Sequence, residues 1–207
     1  GKLVPDATRE KAFFHQRIFE LCRQIKRTDM LISGVVSETM ERGKGYHFWR
    51  LGEYLERADK TSRLLHVKYF HLLPHISDIG TPMDDIHWSA LLLSLDAREV
   101  YHREHGLIEQ ENVIDMIVLD RGFPRAIHFC IQSALDSLYR ITRDETGPPH
   151  EQLEQLCKTF AGLTAQDIID TGIHEFVDGL QLSLNGVNNA VFEYFNTAPL
   201  TANGART

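Results

Sequence analysis

Cysteine is scarce in this chain of 207 residues and occurs only as Cys22, Cys130 and Cys157. The number is odd, the positions are widely separated, and no Cys-x-x-Cys pair is present. Scattered cysteines at apolar positions of helices argue against a disulfide framework. We expect reduced thiols in the core of a cytoplasmic protein.

Long apolar runs are also missing, and so is an excess of positive charge. No segment approaches the roughly 18 to 20 apolar residues of a transmembrane helix, and the start, GKLVPDATRE, lacks the apolar region of a signal peptide. The formal net charge of −7 gives no general attraction for nucleic acid or for an anionic membrane surface. The sequence therefore predicts a soluble protein that binds neither.

Apolar residues recur with the period of helices, and no segment alternates as a strand does. The pattern predicts an all-α fold, a bundle of roughly seven to nine helices without a sheet. We expect a single domain over residues 1–195, followed by a flexible tail at 196–207. The predicted helices cover about residues 6–26, 28–42, 46–71, 84–106, 109–120, 121–143, 151–160, 164–170 and 173–195.

Several local signals refine these helices. Asp84 or Asp85 is the expected N-cap of the fourth helix, Pro124 lies in the first turn of the sixth, and Thr164 with Asp167 resembles a capping box. In the first helix the apolar side chains share one face, which we expect to be buried. That inner face consists of Phe13, Phe14, Ile18, Leu21, Cys22 and Ile25.

The longest predicted helix, over about 46–71, contains Glu56 and Arg57 side by side. Neighbours on a helix point about 100° apart, so these two side chains cannot pair with each other. Each has a partner of opposite charge four residues away, Glu53 for Arg57 and Lys60 for Glu56. The core stripe of this helix is predicted to be Phe48, Leu51, Leu55, Ala58, Ser62 and Leu65.

Trp49, Leu64 and Val67 fall on the charged side of the same helix, which indicates that this side is covered as well. Charges under such a cover must be paired or solvated. Three interpretations follow: exposed surface charges, ion pairs with neighbouring helices, or the lining of a ligand site. We expect both Glu56 and Arg57 to be withdrawn from bulk water.

Two segments carry a family resemblance. FWRLGEYLERADKTSRLL at 48–65 and LDRGFP at 119–124 resemble the alpha-E family, a helical domain named for a Glu-Arg motif and usually duplicated in tandem. The similarity spans about residues 37–141. On this resemblance Glu56 and Arg57 are the signature pair, and Asp120, Arg121 and Pro124 match an Asp-Arg-x-x-Pro pattern. Only one Glu-Arg copy lies in a helical context with the flanking YLERA pattern, so the chain corresponds to one repeat or to the C-terminal part of a longer member.

The resemblance also implies a setting. Such proteins are associated with ATP-grasp ligases and transglutaminase-like proteins, in a presumed system that makes or modifies peptides through amide bonds. The implied role is that of an accessory helical domain that binds a substrate or a partner, such as an acidic peptide. No reaction of its own is carried over.

The best candidates for binding an anion are Arg121 and Arg125, which flank the predicted start of a helix whose free N–H groups and dipole add positive potential. The alternative is that these arginines simply pair with Asp120 or Glu56. Glu56, Arg57, Asp120, Arg121, Arg125 and Trp49 therefore form the predicted binding site, and no catalytic residue is assigned.

No metal site and no cofactor are predicted. Glu99 and His102 form one Glu-x-x-His pair, but a di-iron bundle needs a second such motif and further carboxylates. Two rivals to the accessory role stay open: an enzyme that uses Glu56 as acid or base beside an arginine-bound anion, and a structural module that forms a homodimer.

Overall fold

The computed structural model describes residues 6–71, 82–143 and 145–197 of the chain. In these residues the fold is all-α, without a strand, as predicted. Residues 72–81 and the part of the predicted tail beyond 197 lie outside the described residues. The helices are α1 Asp6–Thr39, α2 Lys44–His71, α3 Pro82–Ser94, α4 Arg98–Glu104, α5 Gln110–Ile114, a π-helical segment Asp115–Leu119, α6 Ile127–Thr142, α7 Pro148–Ala161, α8 Ala165–Thr171 and α9 Ile173–Thr197.

The chain divides into two compact units, Gly1–Tyr46 and His47–Thr207. The single domain expected over residues 1–195 stays a prediction. No helix in the described ranges combines the length and the apolar character that crossing a bilayer requires.

The first unit contains α1 and the opening residues of α2. The two helices predicted over 6–26 and 28–42 are one helix, because Arg27, Thr28 and Asp29 include neither glycine nor proline to end it. The predicted inner face is wrong as well, since Phe14 is 62% exposed and Cys22 is exposed. Helical period shows which residues share a face, but burial also needs a second layer of structure, and the described residues of the first unit provide none for α1.

The second unit has a continuous apolar core to which α2 to α9 all contribute. α6 packs against the π-helical segment and α7, α7 packs against α9, and α8 contacts α5 and α9. A capping box at Thr164 and Asp167 opens α8, as predicted. The largest fully buried apolar side chains are Leu65, Trp88, Leu92, Leu95, Tyr101, Ile114, Ile117, Ile127, Ile131, Leu138 and Ile141.

The core stripe predicted for α2 is confirmed at five of its six positions: Leu51, Leu55, Ala58, Ser62 and Leu65 are buried. The sixth position is different, because Phe48 is 39% exposed. It lies in the first turns of α2, where its ring packs in a T-shaped arrangement with that of Phe195, with centroids 4.7 Å apart.

α9 runs antiparallel to α2. Phe48 meets Phe195, Ser62 Oγ accepts a hydrogen bond from Gln181 Nε2 at 3.4 Å, and the His66 and His174 rings stack with centroids 5.5 Å apart. Residue numbers therefore increase along α2 in the direction in which they decrease along α9. The two helices lie side by side along most of their length in the second unit.

A buried ion pair joins α2 to α3. Lys68 is only 1% exposed, and its Nζ lies 2.8 Å from Asp84 Oδ1 and 3.2 Å from the centroid of the Trp88 ring. Asp84 and Asp85 belong to the first turn of α3, which begins at Pro82, so the N-cap predicted at one of these acids is wrong. Proline sets the helical φ in advance and so allows the helix to begin earlier than the acids.

The helix predicted over 84–106 is broken in two. Asp96 adopts a left-handed backbone, with φ of 53°, between α3 and α4. Aspartate tolerates this conformation better than most residues, and one left-handed residue is enough to end a helix. The break matters for the site below, because it presents the Asp96 carboxylate to Arg125.

Candidate functional site

The second block of the family resemblance forms a tight turn between the π-helical segment and α6. Asp120 Oδ1 accepts hydrogen bonds from the backbone N–H groups of Gly122 and Phe123, each at 2.6 Å. α6 begins only at Ile127, so Pro124 is not in its first turn as predicted. The side chain of Asp120 takes up backbone donors in a turn and so competes with an earlier helix start.

Two side chains of α2 hold this turn. Arg57 Nη1 donates to the carbonyl oxygen of Pro124 at 3.2 Å, and Thr61 Oγ1 donates to that of Arg125 at 2.9 Å. Residues more than sixty positions apart in the sequence thereby meet. The two blocks of the resemblance form one structural feature, with Arg57 at its centre.

Arg57 also belongs to a cluster on α2 that we call the arginine cluster: Arg50, Glu53, Tyr54 and Arg57. The Glu53 carboxylate bridges the two guanidinium groups, with N–O distances of 2.5 Å to each. Arg50 additionally donates to the Tyr54 hydroxyl, and the centroid of the Tyr54 ring lies 4.3 Å from Arg50 Cζ and 5.7 Å from Arg57 Cζ. Trp49 is half-buried beside it, 5.9 Å from Arg50 Cζ.

The structure separates the two members of the Glu-Arg motif. The Arg57 side chain is 28% exposed and contacts a different segment, so it is withdrawn from bulk water as expected. The expectation for Glu56 is wrong: its side chain is 68% exposed, and it forms only the i,i+4 pair with Lys60, at 3.2 Å. The 100° step that separates neighbours turns Glu56 outward, and Glu53, only 16% exposed, is the acid that Arg57 uses.

The remaining predicted site residues do not converge. Arg125 pairs with Asp96 at 3.2 Å, and not with Asp120 or Glu56 as the alternative proposed. Asp120 turns its carboxylate onto the backbone of its own turn. Arg121 is exposed and lines a groove whose lining does not include Glu56. Glu56 pairs with Lys60, so the bridge between Glu56 and Arg121 that the alternative proposed does not form.

The groove that Arg121 lines lies between α6 and α7 and has a volume of about 540 Å³. Two cationic side chains, Arg121 and Lys158, and one carboxylate, Asp136, border it. The lining itself carries one more positive than negative charge, although Lys158 also pairs with Glu154 at 3.7 Å. The full lining is Arg121, His128, Phe129, Gln132, Ser133, Asp136, Cys157, Lys158 and Ala161.

Sequence reasoning found only Arg121 among these residues. A signal was present, because His128, Gln132 and Asp136 repeat every four residues and so form a polar row along α6. Lys158 had no such signal, since its proximity depends on how α7 packs against α6.

The thiol and the imidazole of the groove are poor catalysts as arranged. Burial raises the pKa of the Cys157 thiol to about 11, so almost none of it is the nucleophilic thiolate near neutral pH. The same effect raises the pKa of Cys130, behind the turn, to about 12. His128 is buried, with Nδ1 3.2 Å from the Leu119 carbonyl oxygen, an arrangement suited to a neutral ring that donates from Nδ1.

We expect His128 to make the protein less stable in mild acid. Burial lowers its pKa, an effect that the nearby Arg121 charge reinforces. Below pH ~6.5 the unfolded chain therefore binds a proton that the folded chain takes up less readily, and stability falls with pH until the lowered pKa is passed. Urea unfolding of the wild type and of His128→Gln at neutral and mildly acidic pH measures this contribution.

The exposed His102 on α4 offers a matched control for that experiment. His102→Gln is the comparison for replacing an exposed histidine, and His128→Gln should reduce the pH dependence of stability by more. A residual slope should remain, because burial also lowers the pKa of His150. An unchanged slope in His128→Gln would show that the ring is protonated equally in both states.

The structure defines an all-α domain in which an arginine from one helix holds the turn that leads into another. The family comparison agrees with this class: the chain belongs to the Alpha-E family, described as a predicted alpha-helical domain with a conserved ER motif, which matches residues 3–195. No curated protein and no solved structure matches the chain.

Proposed function

We propose that this chain is a non-catalytic accessory domain that binds an anionic peptide segment in the groove between α6 and α7. It would serve a system of peptide synthesis or modification, together with an ATP-grasp ligase and a transglutaminase-like protein. Substrates and intermediates of amide ligation carry carboxylate and phosphate groups, so a domain that presents them needs fixed cations. The location of Arg121 and Lys158 on one groove is the observation that carries the proposal.

The arginine cluster supports the same proposal through the turn that carries Arg121. Arg57 and Thr61 bind consecutive carbonyl oxygens of the turn that carries Arg121. A cation on a fixed turn loses less conformational entropy when it binds a ligand than one on a mobile loop. Arg57 is thus a positioning residue in this proposal, and Arg121 with Lys158 makes the contact.

The rival enzymatic role has less support. Acid–base catalysis favours a site that excludes bulk water, and the Glu56 side chain is 68% exposed and pairs with Lys60. Cys157 is held as a neutral thiol. Neither group is prepared for chemistry in the folded chain.

The homodimer, which the sequence left open as a rival structural role, stays a second proposal. Its support lies in α1, where the exposed residues Ile18, Leu21, Ile25, Ile32 and Val35 lie at the three- and four-residue steps of a coiled-coil face, with Thr28 filling the remaining step.

For the cellular location we keep the cytoplasm, because three free cysteines, one of them exposed, suit a reducing compartment.

We expect reversal of the groove charges to abolish recognition of acidic peptides. The double variant Arg121→Glu/Lys158→Glu should weaken binding of a fluorescent oligoglutamate peptide by about tenfold or more, since loss of one charge-assisted contact is worth at least ~1.4 kcal/mol. Fluorescence anisotropy at low and physiological salt measures this, with an oligoglutamine peptide of equal length as the uncharged probe.

Arg103 on α4 provides a control charge reversal of the same kind. It is exposed and lies only 3.6 Å from Glu104, outside the groove. Arg103→Glu should keep the affinity of the wild type. Equal binding of the oligoglutamate and oligoglutamine peptides, or equal losses in Arg103→Glu and the double variant, would refute the groove as the anion site.

A further inference from the structure

Two imidazole rings and one carboxylate meet where α2 lies beside α9. The rings of His66 and His174 stack at an angle of 26°, and Asp178 Oδ2 lies 3.5 Å from His174 Nε2. One donor atom from each of the three residues lies within 4.8 Å of the other two. We propose that His66, His174 and Asp178 form a binding site for a divalent transition-metal ion, with Zn²⁺ as the ion that the donors fit best.

The donor set is the first support. Imidazole nitrogen and carboxylate oxygen are common ligands of Zn²⁺. Catalytic zinc sites typically have three protein ligands and one open coordination position, which matches the three donors found here. Magnesium and calcium prefer oxygen donors throughout, so two histidines select against them. The i,i+4 spacing of His174 and Asp178 places both donors on one face of α9, directed at one point.

The geometry requires a small closure. Zn–N and Zn–O distances of about 2.0 to 2.1 Å in a tetrahedron place the donor atoms about 3.4 Å apart. Asp178 Oδ2 and His174 Nε2 already have nearly that separation. The His66 ring must turn out of its stack so that a nitrogen lone pair faces the ion. It is only half-buried, which leaves room for that rotation.

The electrostatic environment permits a cation. His174 lies in the first turn of α9, where the helix dipole is positive, whereas His66 lies in the last two turns of α2, where it is negative. Because the two helices are antiparallel, the positive potential of the α9 N-terminus and the negative potential of the α2 C-terminus offset each other where the three residues meet. Arg63, one turn before His66, is neutralised by Asp59 at 2.7 Å, and Asp178 supplies a net negative charge.

Such an ion would tie α2 to α9 through ligands 108 residues apart in the chain. The simpler alternative is that the stacked rings are a packing contact and bind nothing. The site is independent of the groove between α6 and α7, with which it shares no residue. Its failure would therefore leave the proposed peptide binding unaffected.

Titration of the untagged chain with Zn²⁺ in a calorimeter, in a Cys22→Ser background that removes the exposed thiol, tests the site. We expect one ion per chain. Asp178→Asn, His66→Ala and His174→Ala should each weaken binding by more than about tenfold, because even outer-shell partners of metal sites contribute 10- to 100-fold. Co²⁺ should give the intense visible absorption of a tetrahedral site in the background protein and lose it in these variants.

His102→Ala serves as the control, since His102 is an exposed histidine outside this cluster, whose ring contacts the Gly106 carbonyl oxygen and the Tyr101 ring. It should bind Zn²⁺ as the background protein does. Asp178 is exposed, so Asp178→Asn should fold normally and is the decisive variant. Absence of Zn²⁺ binding, or undiminished affinity in Asp178→Asn, would overturn the proposal.

Discussion

Asp84→Asn is expected to destabilise the protein by about 3 to 5 kcal/mol, the usual consequence of leaving one member of a buried ion pair without its partner. Lys68 and Asp84 are both almost completely buried, and the ammonium nitrogen lies 2.8 Å from the carboxylate. Burial opposes the charge on Lys68 strongly enough to lower its pKa to about 8, although Asp84 acts in the other direction. Among the described residues, the Trp88 ring would then be the contact left to stabilise the cation.

The neighbouring acid gives a matched control for this experiment. Asp85 occupies the same first turn of α3 but is exposed. Asp85→Asn removes an equal charge from the same helix N-terminus, where the dipole effect is worth about 0.3 to 1 kcal/mol. Chemical denaturation of both variants therefore separates the ion pair from the dipole. If both variants lose the same free energy of unfolding to within about 1 kcal/mol, the buried ion pair contributes no stability beyond the dipole effect.

A double variant tests the physical reason. Lys68→Met/Asp84→Leu removes both charges and replaces the ion pair beside Trp88 with apolar side chains. Buried ion pairs can often be replaced by well-packed apolar residues without loss, because desolvation offsets much of their attraction. We expect the double variant to be more stable than Asp84→Asn alone, and unfolding by denaturant again measures the difference.

The contrast between Lys68 and Leu65 shows what a sequence contains and what it omits. The helical period that identifies Leu51, Leu55 and Leu65 as core also places Lys68, three residues beyond Leu65, on the same stripe. A lysine at a core position therefore predicts a buried charge from the sequence alone. The partner of that lysine cannot be predicted in the same way, because Asp84 belongs to another helix and its proximity depends on tertiary packing.

The same limit explains the site. The resemblance singled out Arg57 and the turn at 119–124, and the structure brings them into contact. It could not show that the contact uses the backbone of Pro124, because carbonyl groups have no sequence signature. Nor could it show the groove, whose cations come from the turn and from α7. Elements with strong periodicity were predictable, and contacts between elements were not.

The second large effect concerns which glutamate supports Arg57. Glu53→Gln is expected to destabilise the protein by about 2 to 3 kcal/mol, because it removes two charge-assisted hydrogen bonds in a mostly buried setting. It also leaves the like charges of Arg50 and Arg57 facing each other beside Tyr54. Equilibrium unfolding in urea measures the loss, and circular dichroism confirms that the variant still folds.

Glu56→Gln is the matched comparison, three residues along the same helix. Its exposed pair with Lys60 is worth at most about 0.5 kcal/mol, so the variant should unfold almost as the wild type does. This result would mean that the glutamate of the Glu-Arg motif is not kept for the stability of the isolated domain, whereas Arg57 with Glu53 is. A larger loss in Glu56→Gln than in Glu53→Gln would contradict the arginine cluster as the structural support of the turn.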